Sequence, residues 1–177
     1  MLTAQENGIE QVAALAGGWA AWQQAGYPVE REQTGATGVD STAGETGAMG
    51  EPFAPVVIEE FTDFQCGYCA RHALITLPRI KEAYVDTGLV YYVVRDFPLE
   101  FHANARLAAS AARCAGAQGR YWPMHDLLYA RQSDWSDLPA NDALAIFRAF
   151  ARAVEVEESA FEGCMLADEF QDGIDRD

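Results

Sequence analysis

The chain has 177 residues, half of them apolar and 11% aromatic, a composition that argues against general disorder and suits one ordinary domain with an appendage. Its formal charge of −15 speaks against a nucleic-acid partner, because a phosphate-binding surface needs clustered Lys and Arg. No apolar run approaches the roughly 20 residues of a membrane span, and the opening MLTAQENGIE shows neither the basic start nor the apolar core of a signal peptide.

In chain order, the first feature is a short apolar run at 12–15 that meets Gly17-Gly18. A helix-like stretch WAAWQQA follows, stopped by Gly26 with Pro28 beyond it. Residues 31–51, REQTGATGVDSTAGETGAMGE, have no apolar periodicity and read as a flexible linker. A second region starts at Pro52. Its PVVIEEF reads as a strand, and the nearly unbroken apolar start predicts a parallel strand covered on both faces.

A helix is expected to open at Cys66 and Cys69 and run towards Tyr84, kinked or restarted at Pro78. LVYYVVRDF is a second strand of the same buried type, so strand, helix and strand form a right-handed crossover with a parallel pair. Two paired strands alone would leave an edge open. The remainder is helical. Leu107, Ala111 and Cys114 share one helical face, and RYWPMHDLLYARQ is a helix with Pro123 near its first turn. Ala143, Phe147, Phe150 and Val154 share another face, and Phe161, Cys164 and Met165 fall together. No internal repeat is visible.

Four cysteines are too few for a disulfide scaffold in a chain of this length. Cys66 and Cys69 form a C-x-x-C pair at the junction of strand and helix. Unpaired N–H groups and the helix dipole there favour a thiolate, whose free value near ~8.5 can fall by several units. Two intervening residues in a first helical turn bring both sulfurs within bonding range, with Cys66 as the exposed attacker and Cys69 as the resolving thiol. Gly67 and Tyr68 between them help to set the redox poise. Glu60 on the strand is placed for proton relay if it points inward, since Glu59 and Glu60 alternate faces, and Asp63 is a second candidate.

Other readings of the pair stay open: a zinc half-site or an inert pair. Zinc wants a second ligand pair, which neither the lone Cys114 and Cys164 nor His72, His102 and His125 supplies by spacing. Cys114 and Cys164 are either small buried hydrophobes or a structural disulfide with one another. Tyr121, Trp122 and His125 read as packing residues.

PVVIEEFTDFQCGYC, followed by VVRDFPLEFHANARLAASAARCAGAQGRYWPMHDLLY, resembles the DsbA-like thiol:disulfide oxidoreductases of the thioredoxin fold, from about Pro52 to Phe170. The resemblance implies an α/β fold: a thioredoxin-like core with a helical insertion. It implies Cys66 as nucleophile, Cys69 as resolving thiol and Glu60 at the place of a buried acid. Cys114 and Cys164 fall where many relatives of this subgroup carry cysteines. It further implies cysteine-containing protein substrates, a membrane quinone-linked thiol oxidase as redox partner, an extracytoplasmic location and no soluble cofactor, because the cysteine pair is itself the carrier. A non-catalytic thioredoxin-like interaction module and a zinc-binding module are the rivals.

Two features depart from that pattern. LAGGWAAWQQAGYPVE is similar to the last helix of a rhodanese domain, without its catalytic loop. The family's cis-proline loop and final strands have no counterpart after the helical insertion, since none of the seven prolines lies there. The expectation is a chain truncated at both ends, with residues 1–30 a rhodanese-like remnant, 31–51 a linker and 52–177 an incomplete thioredoxin-fold domain.

Overall fold

Residues 47–177 are described by the computed structural model of the chain, and all lie in the unit Ser41–Asp177. The expected rhodanese-like remnant at 1–30 and most of the expected linker lie outside the described residues.

The two strands read from sequence are present. Strand β2, Val56–Thr62, pairs in parallel with β3, Val90–Asp96, with Glu60 opposite Val94 and Thr62 opposite Asp96. The sheet also holds a strand that was not expected. A third strand, β1 (Ala48–Met49), runs antiparallel to β3, giving the order β1-β3-β2. It comes from the end of the segment expected as linker. With only two residues and no alternation of its own, it is a strand because β3 offers an edge. Val94 N–H also reaches the Gly47 carbonyl, and the Trp122 indole donates to Ala48 O at 3.1 Å. Gly50 then turns the chain at φ +96, where an added Cβ would sit 2.4 Å from Val90 O.

The expectation that both parallel strands are covered on both faces holds for β3 only, which is buried at six of its seven positions. β2 is instead an edge of the described sheet, with Val56 50% and Phe61 57% exposed. Its side chains alternate accordingly. Glu60 and Thr62 turn inward while Glu59 and Phe61 turn out.

The helix that opens at the cysteines, α1, runs over 67–85. It is α-helical at Gly67–Arg71 and Leu77–Ile80 and π-helical at His72–Thr76 and Lys81–Val85. Pro78 stands in the first turn of the Leu77–Ile80 stretch, as the sequence suggests. A proline has no N–H to return to the preceding turn, and the chain widens there: Leu77 N–H reaches His72 O, five residues back.

The helical layer comprises α2 (Ala105–Gly116), α3 (Tyr121–Ala130), α4 (Ala140–Ala153), α5 (Glu158–Leu166) and α6 (Gln171–Arg176). The apolar faces read from sequence are the buried ones: Ala111 and Cys114 on α2, Ala143, Phe147 and Phe150 on α4, Phe161 and Cys164 on α5. Cys114 and Cys164 are bonded, joining α2 to α5 across a separation of 50 residues. A loop of that length implies a stabilisation of about 4 kcal/mol through the entropy removed from the unfolded chain.

Helix α6 is not expected from its polar sequence. It is held by Ile174, which is buried, by Arg106 to Asp175 at 2.6 Å, and by the Gln171 amide to Ser110 Oγ at 2.8 Å. Helix α3 lies against the His72–Thr76 stretch of α1, which places its tyrosines behind the cysteine pair.

Candidate active site

The end of β2 delivers the chain into the site. After Thr62, the turn Asp63-Phe64-Gln65 leads to Cys66, which caps α1 with extended backbone (φ −78, ψ 123). Cys66 N–H donates to Asp63 O at 3.0 Å, and Cys66 O accepts from Ala70 N–H at 3.0 Å, so the helix starts at this residue. Cys69 sits in the first turn of that helix, three residues on. Both cysteines are free and partly exposed. Gly67 has open space where a Cβ would stand, and Tyr68 is 85% exposed.

Asp63 acts as an anchor. Its carboxylate is 3% exposed and accepts from Gln65 N–H at 2.7 Å and Leu99 N–H at 2.9 Å, and it lies 2.7 Å from His102 Nδ1. One buried carboxylate thus ties the turn before Cys66 to the 97–104 loop, which leads into the helical layer.

Two amides do the same on the other side. Gln132 Nε2 donates to Phe64 O at 2.8 Å and to Cys66 O at 3.1 Å. Gln65 Nε2 donates to Ser136 O, and its Oε1 accepts from Asn104 N–H. Phe64 is buried and stacks on Tyr129 at 4.9 Å, with His125 edge-on at 5.7 Å. The turn is therefore held by packing from below and by hydrogen bonds at both sides, which keeps the cysteines' backbone in place.

Behind the pair runs a row of polar groups from β2, β3 and α1. Glu60 Oε2 accepts from the Tyr92 hydroxyl at 2.7 Å, and Tyr92 OH lies 2.9 Å from His72 Nε2. His72 Nε2 is itself 3.9 Å from Glu60. Burial, with Glu60 beside it, holds the Tyr92 phenol far above its ordinary value, so it stays a donor. The inward Glu60 is as expected, but its carboxylate is engaged by Tyr92.

Burial pushes the Cys69 thiol up, and the contacts of its sulfur with the Asp63 backbone and the Thr62 hydroxyl pull it back. Thr62 Oγ1 is in turn 2.8 Å from the Tyr129 hydroxyl, both groups being fully buried. A signal for Thr62 exists in the sequence. It is two residues from Glu60, hence on the same face of β2. Nothing in the sequence alone joins Tyr92, Tyr129 or His72 to that face.

Among the described residues no three His, Cys, Asp or Glu side chains cluster as metal ligands. Cys114 and Cys164 lie in the helical layer, bonded to each other.

The family model described as thioredoxin matches residues 42–177. The chain belongs to the thioredoxin family. Its solved neighbours include DsbA proteins. The structure of alpha-DsbA1 from Wolbachia pipientis is similar with a TM-score of 0.63 and 26% identity, covering 73% of this chain and 64% of that one. The mixed α/β fold with a helical insertion is thus shared.

Among curated proteins, this thioredoxin-family chain is 31% identical over 115 residues to the probable disulfide bond formation protein D of Bacillus cereus, covering 63% of this chain and 53% of that protein. It is 44% identical over 82 residues to the Na(+)/H(+) antiporter NhaA 3 of Salinispora tropica, covering 46% of this chain and 12% of that protein. The chain therefore spans about half of one of these relatives and about an eighth of the other.

Proposed function

We propose that this thioredoxin-family chain is a thiol:disulfide oxidoreductase that exchanges disulfides with cysteine-containing protein substrates through Cys66-Gly67-Tyr68-Cys69. One observation carries the reading: Cys66 caps the helix with Cys69 in its first turn, and both are free thiols. Unpaired N–H groups at a helix start favour negative charge, and a thiolate is the species that attacks a disulfide.

Cys66 attacks a substrate disulfide, forming a mixed disulfide and releasing one substrate thiolate. Cys69 then attacks the Cys66 sulfur, closing the Cys66–Cys69 bond and releasing the second thiolate. The reverse sequence passes the disulfide on to a substrate. Asp63 holds the turn in position, Glu60 stands behind the pair for proton relay, and Gly67 and Tyr68 set the poise. The pair is the electron carrier, so no soluble cofactor enters.

The DsbA-type neighbours and the disulfide bond formation relative support an extracytoplasmic setting. They also support a membrane thiol oxidase as the partner that resets the pair. The residue 1–30 segment as a rhodanese-like remnant and a linker from residue 31 that ends before β1 complete the proposed organisation.

A second reading rests on the antiporter likeness. A domain of this type forms a small part of a Na(+)/H(+) antiporter relative, so the pair could serve as an accessory redox domain within a longer transport protein. The reading frame around this sequence, translated in full, distinguishes the two: a transport domain in the same frame supports the second.

The test of the chemistry is alkylation of the reduced chain followed by peptide mapping. The expected result is fast, selective labelling of Cys66 and slow labelling of Cys69. Equal, slow labelling of both would support the inert module instead, and stoichiometric zinc in the freshly purified protein would support the metal site.

A further inference from the structure

We propose that Gln132 is a positioning residue of the oxidoreductase: its side-chain amide holds the Cys66–Gly67 peptide so that the N–H groups at the head of α1 are set for the Cys66 thiolate. The inference rests on the oxidoreductase reading and adds to it a residue from beyond the strand-to-helix turn.

The geometry is direct. Gln132 Nε2 donates to Phe64 O at 2.8 Å and to Cys66 O at 3.1 Å. A carbonyl oxygen only accepts, and a glutamine amide has two hydrogens, so both bonds run from Gln132 and use both hydrogens. Cys66 O also accepts from Ala70 N–H at 3.0 Å.

Pinning a carbonyl fixes more than the carbonyl. The peptide unit is planar and trans, so its C=O and N–H point in opposite directions. With Cys66 O turned into the helix, the Gly67 N–H is turned the other way, off the first turn, where it has no intrahelical partner. Glycine has the least restricted backbone of any residue, and Gly67 has open space where a Cβ would stand. Besides the helix's own Ala70 bond, the restraint on this peptide plane comes from Gln132, 66 residues on.

Gln132 is itself held. Trp135 N–H reaches Gln132 O at 3.3 Å, and Trp135 is fully buried with its indole donating to Leu128 O at 3.0 Å. Asn104 Nδ2 donates to Leu138 O at 2.8 Å, and Gln65 Nε2 to Ser136 O at 2.7 Å. A side chain presented from so fixed a segment loses little further freedom in making its bonds. A carbonyl oxygen swung towards the sulfur would repel a thiolate, whereas N–H groups aimed off a helix start stabilise it. Gln132 favours the second arrangement before any substrate arrives.

The test is the pH profile of Cys66 alkylation in the reduced 177-residue chain. The thiolate attacks iodoacetamide, a carbon–sulfur bond forms and iodide leaves, so the rate follows the thiolate share until it levels off in base. Gln132→Met keeps the length and removes both donors. Its acid limb should lie at higher pH, so that a rate read on that limb falls about fivefold, the scale of one hydrogen bond, while the level in base is unchanged. Gln132→Asn, one methylene shorter, cannot span both carbonyls and should fall between the two. Asp63 and His102, which hold the same turn, and Cys69 in the same helix are unchanged in every variant, so the difference between profiles belongs to residue 132.

An acid limb in the same place in Gln132→Met overturns the inference. So does an equal fall at every pH, because lost packing or access would lower the level in base as well. If Gln132→Met does not fold, Gln132→Asn decides on the same criteria. The oxidoreductase reading survives each of these results as long as Cys66 of the unmodified chain is labelled fast and selectively. Labelling of that Cys66 no faster than Cys69 overturns both.

Discussion

The Tyr92 hydroxyl donates to the Glu60 carboxylate at 2.7 Å, joining the centre of β3 to the inward face of β2 behind the cysteine pair. Tyr92 is fully buried and Glu60 nearly so, with His72 completing the group from α1. A carboxylate in such a place needs its donor, because desolvation is otherwise uncompensated. Tyr92→Phe removes the hydroxyl and little volume. It should lower the unfolding free energy by about 2 kcal/mol, the scale of a hydrogen bond to a charged group. Urea denaturation with an unchanged slope measures this, and an unshifted midpoint would show that His72 alone satisfies Glu60.

Three buried tyrosines make the fold sensitive to base. Burial raises the phenols of Tyr92, Tyr121 and Tyr129 above their ordinary value of 10.0. The folded chain therefore holds protons that the unfolded chain gives up. The stability they contribute is fully present below about pH 10 and is lost as pH rises beyond it, by up to ~1.4 kcal/mol per pH unit for each tyrosine. Unfolding free energies measured on either side of that pH should fall steeply. In Tyr92→Phe the slope should be shallower by one proton. A flat alkaline profile would mean that the phenols reach water in the fold.

Arg113 neutralises a carboxylate that cannot reach solvent. Asp96 is 4% exposed, and Arg113 Nε donates to it at 2.5 Å while the guanidinium also meets Asp177. Burial raises Asp96 and Arg113 opposes that rise. Arg113→Ala should cost about 3–5 kcal/mol, the usual loss when one partner of a buried ion pair is removed. Because an acid with a raised value favours its protonated form in the fold, this deficit should shrink as pH falls towards 4. A deficit that stays constant with pH would assign the loss to packing rather than charge.

The Cys114–Cys164 bond is expected to contribute to stability and not to exchange. The double variant Cys114→Ser with Cys164→Ser should lose about 4 kcal/mol, if the entropy of a 50-residue loop sets the value. Thermal unfolding of the two proteins checks it. Alkylation of Cys66 and Cys69 in the reduced pair should be unchanged at a temperature where the variant is folded. A change in either rate would join this bond to the chemistry of the pair.

Much of the architecture was legible before any coordinates. β2 and β3 announce themselves by β-branched and aromatic runs of the right length, and the helices by apolar residues at helical spacing. Pro78 marks the restart of α1 and the C-x-x-C spacing marks its head. These are local signals, carried within a dozen residues. The inward side chains of β2 follow from alternation alone, which is why Glu60 could be named. β1 and α6 could not be foreseen, since Ala48 and Met49 become a strand only by pairing with β3, and α6 is held by contacts with α2 more than 60 residues away.

The amino-acid sequence by itself determined the periodic elements, the reactive pair and its place at a strand-to-helix junction, because each depends on neighbours along the chain. Tertiary structure alone decided which phenol meets Glu60, which meets Thr62 and how Asp63 is tied to the loop before α2. Those partners lie 32 to 67 residues apart in such pairs as Glu60–Tyr92 and Thr62–Tyr129. Hydrogen bonds act over about 3 Å, so a partner that distant in sequence is chosen only when packing brings the elements together.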